Sequence, residues 1–446
     1  MDSNISSKCS KLVVAAIDIG TAYSGYAFSF QSTWNKVMTP FWQVRQSITN
    51  KTPTCLLLRK DYSVVLFGYE AEDEYSYIKE DNKHEDYYFF QGFKVILHEE
   101  SVNRHMLCQA HDGRSLEASV VFMHCIRYLK SHFYAKLQTA CIDIKDDDIQ
   151  YVLTVPAIWG DKAKVFMREA AIEAGIKNEH LIIALEPEAA SIYCQYLHIA
   201  KEDTSSAVLG VVKPGTKFMV VDLGTPLSSS DTAHITVHQK SADSNSEKIL
   251  MASWGPWGGK SVNDMFMTFL TELVGERVIK DFKEECMEGY LDMTRYFEAK
   301  KRKANSYRDG STSIPIPMPF IHLCEKLHNV IDFREVIDKN ELHRNNVKYT
   351  AGKLKWENKY FRGFFNKTID SIVKHIDELF EEDVGRDVDI IVMVGGLSEC
   401  HLVQDAIKKN FEQKTVIVPE EAGLAVVKGA VYLGHLSDDI PRTTLS

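Results

Sequence analysis

No apolar run in this chain approaches the roughly 20 residues that a membrane span requires. The segment Met1 to Lys8 also lacks the apolar core of a secretory signal, so the expectation is a cytoplasmic protein with no membrane contact. Basic residues are not in excess: 52 Lys and Arg against 62 Asp and Glu leave a net charge of −10, and the cations are scattered. A nucleic-acid surface needs a concentrated basic face, so nucleic acid is not an expected partner. The nine cysteines stand singly, without a paired framework, as reduced thiols do, and the sequons at Asn50 and Asn366 therefore carry no weight. What remains is 45% hydrophobic and 26% charged, the composition of an ordinary soluble globular chain long enough for two or three cores.

Within that composition one stretch organises the rest. Val13 to Ile17 is an apolar run closed by Asp18, which turns through Gly20-Thr21 and returns as Gly25 to Phe30. With period two this reads as buried strand, tight turn and second strand. Gly20 lets backbone approach a ligand, the turn amides can form a concave anion site, and Thr21 and Ser24 add hydroxyl donors. Asp18 at the strand end would hold a hydrated divalent cation on that anion. Alone, the tetrad is equally a polar turn. A second copy, Lys217 to Asp222 followed by Leu223-Gly224-Thr225, shifts the balance. Leu181 to Ala190 is likewise echoed by Thr415 to Ala422, each a strand entering a helix with an acidic start. Two related half-domains follow.

Other stretches carry two readings each. Lys94, alone among apolar residues in Gly92 to His98, is either a surface lysine covering a core edge or a cation aimed at a phosphate. His105, Cys108 and His111 have metal-like spacing but no convincing fourth ligand. Ser115 to Gln138 reads as a helix buried through Val120, Val121, Met123, Cys125, Ile126, Leu129 and Phe133, and Asp161 as the cap of a helix that stops at Gly175. Glu70 to Asp86 reads as a solvated helical face. Glu186, at a strand end before Pro187, either complements a helix dipole or, facing Asp18 across a cleft, orients an attacking water. Gly255 to Ser261 resembles a phosphate loop but leaves three residues between Gly255 and Gly259 where that pattern needs four. Thr271 to Asn305 reads as helical, with Glu298, Lys301, Arg302 and Asn305 on one face. Gly310 to Phe320 reads as an extended connector and about Glu357 to Glu381 as one long helix. After the buried strand Asp389 to Val394, Gly395-Gly396 permit a close approach to the flat face of a base.

Taken in order, these residues resemble the actin, sugar-kinase and seventy-kilodalton heat-shock superfamily. Asp18 to Ser24, Leu153-Thr154-Val155-Pro156-Ala157, Glu186 to Ala190 and Val394 to Ser398 favour the heat-shock family, and Phe93-Lys94 with Thr236 to Gln239 are similar to its divergent 12A and 12B branch. The resemblance implies an α/β fold of two duplicated ribonuclease-H-like lobes with helical insertions and a nucleotide cleft between them. Its boundaries would be a flexible N-terminus (1–11), lobe I (12–200), a connector (201–216), lobe II (217–435) and a tail (436–446). It further implies ATP or ADP with Mg2+. Gly20, Thr21, Ala22 and Tyr23 would follow the phosphates, Gly224 and Thr225 would form the second phosphate loop, and Gly258 and Gly259 would line the site. Asp18 and Asp222 would bind the metal through water, with Lys94 at the γ-phosphate and Glu186 near the metal waters. Glu298, Lys301, Arg302 and Asn305, with Gly395, Gly396, Leu397 and Glu420, would hold adenosine.

Three departures temper the activity. Ala22 replaces a hydroxyl residue; the second loop carries Pro226 and Ser228-Ser229-Ser230 where the family has consecutive glycines and a threonine, with His234 where an acid is usual; and the third is at the end. Leu436 to Pro441 stops where the family continues, so no peptide-binding domain is recognised. The expectation is a heat-shock-type, chaperone-like nucleotide-binding domain with weak ATP hydrolysis at best, with possible protein clients or co-chaperones. The alternatives are a nucleotide-sensing scaffold that does not hydrolyse, and a small-molecule kinase of the same superfold.

Overall fold

A computed structural model describes residues 9–44, 47–98, 102–140, 143–201, 213–224, 233–241 and 247–436. Its centre is two five-stranded sheets of one topology. In the first, β1 (Val13–Ile19), β2 (Tyr23–Phe30), β3 (Thr52–Pro53), β4 (Ile149–Val155) and β5 (Leu181–Leu185) lie in the order β3-β2-β1-β4-β5, and α1 (Glu186–Lys201) follows. In the second, β6 (Lys217–Leu223), β7 (Ala233–Lys240), β8 (Glu247–Gly255), β9 (Val388–Val394) and β10 (Thr415–Ile417) lie in the order β8-β7-β6-β9-β10, and α2 (Ala425–Leu436) follows. Pairing repeats as well. β1 is antiparallel to β2 and parallel to β4, as β6 is to β7 and β9. The duplicated lobes inferred from two Asp-x-Gly-Thr tetrads are thus present strand for strand.

Every residue of β1 is buried, which explains its near-continuous apolar sequence: a central strand between two layers has no wet face. One face of each sheet is covered by its own outer helices, including Ala118–Ala140 in lobe I and Gly259–Val274 in lobe II. The other faces share a core. Val14, Ala16 and Val152 of lobe I and Phe218, Val220 and Val392 of lobe II enclose Ala189 and Ala190 of α1 and Ala425 and Ala430 of α2. Small residues let these helices cross closely. A Cβ at Gly429 would lie 1.7 Å from the Ala189 carbonyl oxygen, and one at Gly434 2.5 Å from Val14 Cγ1.

Several local expectations are corrected. The helical stretch 271–305 is broken at Gly275, in a left-handed conformation (φ +86°), and at Cys286, giving Glu276–Glu285 and Met287–Arg302. The long helix is interrupted by a 3-10 turn at Gly363–Phe365. Ser311–Pro315 is extended as expected, but it pairs with Lys353–Glu357, and Pro317 then starts a helix, Met318–His328. Ser115–Glu117 is a strand paired with Leu107–Gln109, so the following helix starts at Ala118; Phe122 is in its core, while Val120 and Met123 are half-buried. Gly160, not Asp161, occupies the cap position before the helix that Gly175 ends. Glu72 is buried, so the helix Tyr69–Glu80 is not a wholly solvated face. Every described cysteine is a free thiol, and among the described residues no helix is long and apolar enough to cross a membrane.

Candidate functional site

A cavity of about 700 Å³ opens between the lobes, at the carboxyl ends of β1 and β6. Its floor is the β1–β2 turn. A Cβ on Gly20 would sit 2.3 Å from Tyr23 O, so this bend admits only glycine. Thr54 pins the turn, donating its hydroxyl to Gly20 O (2.7 Å) and its amide to Ala22 O (2.7 Å). Gly20, Thr21, Ala22 and Tyr23 all line the cavity.

Facing them from lobe II are Asp222, Gly224, Gly395 and Gly396. Gly395 has φ +87°, and a Cβ there would meet Asp222 Oδ1 at 2.3 Å and Leu223 O at 2.5 Å. The glycine pair is what lets this turn nest on the end of β6. At the far end stand Glu420 and Arg302, whose guanidinium lies 5.5 Å from the Tyr23 ring centroid, bridging the lobes. Arg302 Nε is buried with no hydrogen-bond partner among the described residues. A buried donor of that kind is costly unless something accepts from it.

The charged centre holds three carboxylates and two ammonium groups. Lys94 Nζ donates to Glu186 Oε1 at 2.9 Å, both buried, and lies 5.2 Å from the Trp159 ring centroid. Lys94 is thus buried at the cavity and is not a surface lysine. Asp18 accepts from Thr154 Oγ1 at 2.9 Å on Oδ1 and from Lys51 Nζ at 2.7 Å on Oδ2. Burial pushes the Asp18 carboxyl up, but Lys51 and Lys94 more than reverse this and hold it below the usual range. Asp222 is raised to about 7, by burial first and then by the Glu186 charge. His234 Nδ1 is 3.8 Å from Glu186 Oε2. His98 and His234 are lowered to about 4 and about 3, chiefly by burial and then by Lys94, so both imidazoles are neutral at pH 7.

Other expected residues lie elsewhere. Lys301 is fully buried and donates to Gly259 O (2.9 Å), Asn263 Oδ1 (2.9 Å) and Glu298 Oε1 (2.5 Å). Glu298 and Lys301 thus sit behind the cavity wall, bracing the start of the helix Gly259–Val274. The Gly259 amide in turn donates to Gly224 O (3.0 Å), with Gly258 at the cap, so these glycines support the second turn from behind. Asn305 lines a separate groove beside Lys303 and Arg308, and Leu397 is buried in the lobe II core. The partners of Glu298, Lys301 and Leu397 are internal, which is the physical reason they do not face the cavity, while Asn305 donates to the Lys303 carbonyl and accepts from the Arg308 amide near the surface. Thr225, Pro226 and Ser228 to Ser230 lie outside the described residues. His105 reaches Glu117 (3.2 Å), while Cys108 is buried in the core; among the described residues no three His, Cys, Asp or Glu side chains converge to hold a metal.

Lys51, His98, Glu399 and Gln404 line the cavity without having been singled out in the sequence. Strand pairing explains how Lys51 reaches the site. Gly25 stands opposite Asp18 in the hairpin, and Thr52 pairs with Ser24 beside it. The lysine stem therefore crosses Gly25, where a Cβ would come within 3.2 Å of Lys51 Cγ, and delivers its ammonium to Asp18.

A phosphate chain fits these glycine turns and lysines. Magnesium coordinated directly by Asp18 does not fit the arrangement shown, because Lys51 Nζ occupies Oδ2 and Thr154 Oγ1 donates to Oδ1.

No protein-family model matches the chain. It is 32% identical to heat shock 70 kDa protein 12A of Homo sapiens over 489 residues, an alignment covering 97% of this chain and 71% of that protein. The Mus musculus 12A protein is 32% identical over 95% of this chain and 69% of its own length, and human heat shock 70 kDa protein 12B is 31% identical over 95% and 68%.

Proposed function

The chain belongs to the heat shock 70 kDa protein family, and from that premise we propose that its cleft binds adenine nucleotide and hydrolyses ATP slowly. The observation that carries the reading is the pair of glycine turns, Gly20 to Tyr23 and Gly395-Gly396, brought face to face by two copies of one topology around the buried Lys94. Backbone amides and lysines suit a phosphate chain, and the unpartnered Arg302 Nε gives the ligand a donor at the other end. Phosphoryl transfer of this kind is positioning plus electrostatics, so each group need only be held in place. Lys94 would place positive charge at the terminal phosphate, and Glu186, fixed by Lys94, would orient the attacking water.

Slow turnover follows from the sequence of the second loop. Pro226 has no N–H to offer a phosphate, and Thr225 restricts torsions that glycine leaves free. A nucleotide sensor that does not hydrolyse is the second reading, favoured by the Lys51 ion pair on Asp18. Thermal shift and calorimetry with ADP and ATP, beside a phosphate-release assay on the same sample, decide between them. A ligand at about 100 times its Kd stabilises by about 2.7 kcal/mol. No shift at millimolar ATP or ADP would sink nucleotide binding; binding without phosphate release would leave the sensor.

A further inference from the structure

We propose that Lys51 is a built-in cation of this cleft, holding the phosphate end of a nucleotide and making its binding nearly independent of magnesium. The inference rests on the nucleotide reading above and adds what neutralises the bound phosphates.

Three observations carry it. The first is position: Lys51 Nζ is 2.7 Å from Asp18 Oδ2 in the cavity, reached along a path that Gly25 leaves open. The second is commitment of the carboxylates. Asp18 is held by Lys51 and Thr154, and Glu186 by Lys94. Of the acids facing this point only Asp222 makes no side-chain hydrogen bond or ion pair among the described residues. Magnesium at nucleotide sites is held by one or two carboxylates, waters and the substrate phosphates; here a single uncommitted acid stands beside two ammonium groups that compete with the metal for those phosphates. The third is the pair of ammonium groups itself: Lys51 and Lys94 both line the cavity, one beside Asp18 and the other beside Glu186. An ammonium group is a compact point charge that serves as a phosphate ligand. When nucleotide enters, Lys51 is already within the cavity and need only share its protons between Asp18 and a phosphate oxygen.

The test is ADP affinity by calorimetry in excess EDTA and in millimolar magnesium. For the wild-type chain the two Kd values are expected to agree within about threefold. Lys51→Ala removes a charge-assisted bond, so its affinity in EDTA should fall about tenfold or more and recover with magnesium. Lys51→Arg, which keeps the charge, should behave as wild type. Mn2+ titration of the nucleotide-free chains, read by electron paramagnetic resonance, should show a site in Lys51→Ala and none in wild type. Wild-type affinity that collapses tenfold in EDTA overturns the proposal while leaving nucleotide binding intact, as does a Lys51→Ala chain with no greater magnesium dependence than wild type. A wild-type chain that binds ADP in neither buffer overturns the nucleotide reading, and this inference with it.

Discussion

Lys94 Nζ and Glu186 Oε1 lie 2.9 Å apart at the meeting of the two lobes, each with less than a tenth of its surface exposed. A pair so placed is held by geometry that neither residue supplies alone: Lys94 comes from the short 3-10 segment Phe93–His98 and Glu186 from the first position of α1. Lys94→Ala is expected to lower ATP turnover by a larger factor than it lowers ADP affinity, because ADP lacks the terminal phosphate at which the proposed reading sets Lys94. Steady-state kinetics beside ADP calorimetry measure the split; equal losses would assign Lys94 to ground-state binding or packing instead. The variant also strands Glu186, so Lys94→Ala with Glu186→Gln should regain stability without regaining turnover.

Gly395→Ala tests the second turn. Its φ of +87° is strained for any other residue, and the added Cβ would collide with Asp222 Oδ1 and the Leu223 carbonyl. The expected cost is about 3 kcal/mol or more, with loss of nucleotide binding. Gly429→Ala, which drives a methyl into Ala189 O, should cost as much stability by separating α1 from α2. Urea unfolding of both proteins checks this: a loss under about 1 kcal/mol in either would show that the contact relaxes.

The duplicated hairpins and the strands after them were legible in the sequence because their signals are local: an apolar run, an acid, a glycine, repeated. Lys94 and the Gly395-Gly396 turn were legible for the same reason, as punctuation in an apolar setting. What sequence could not supply was reach. Lys301 and Glu298 share a helix face with Arg302, yet the first two turn inward to brace Gly259 while Arg302 crosses to Tyr23. Periodicity gives the face, not which neighbour ends the side chain. Lys51 was missed because its partner is 33 residues away and visible only once β3 is laid beside β2. The helix break at Gly275 comes from its positive φ, which glycine adopts freely, and the 3-10 turn at Gly363–Phe365 falls inside a long amphipathic stretch.

Buried histidines make the fold acid-labile. His435 of α2 is fully buried, with Nε2 2.9 Å from Ser29 Oγ, and burial lowers it to about 4; His98, His124, His132 and His234 are also lowered. In the unfolded chain these groups protonate near 6.5. Between that value and about 4 the unfolded state binds more protons, so stability is full above pH 6.5 and falls as pH drops through this window. Asp222, raised to about 7, Glu188, raised to about 6, and Glu72, also raised, work in the opposite direction, losing their contributions as pH rises, but they are three groups against five histidines. The melting temperature should therefore drop between pH 7 and pH 5. His435→Gln, which keeps a polar partner for Ser29 but cannot titrate, should flatten part of that slope. An unchanged slope would show that His435 is not among the groups that drive it.

The last prediction concerns the tie between the lobes above the cleft. Arg295, on the lobe II helix Met287–Arg302, reaches Glu72 Oε2 at 2.5 Å and Asp73 Oδ1 at 3.0 Å on the lobe I helix Tyr69–Glu80, and its guanidinium stands 5.3 Å from the Tyr69 ring centroid. Ala71, Tyr75 and Ile78 pack beside it against Met287 and Leu291, so the tie has an apolar footing. Glu72 is only 2% exposed, and burial raises its carboxyl even with Arg295 opposing. Removing the arginine leaves a buried acid without its cation, which costs about 3–5 kcal/mol. Arg295→Leu is thus expected to destabilise strongly, while Glu72→Gln with Arg295→Leu should recover much of the loss, because the buried charge is gone and the apolar footing remains. A double-mutant cycle on unfolding free energy measures the coupling, which should reach about 2 kcal/mol, within the range for residues in one network. The double variant, stable but untied, should also release nucleotide faster than wild type, since the lobes then part without breaking an ion pair. Additive single effects, or an unchanged release rate in the double variant, would reduce the pair to a local packing contact.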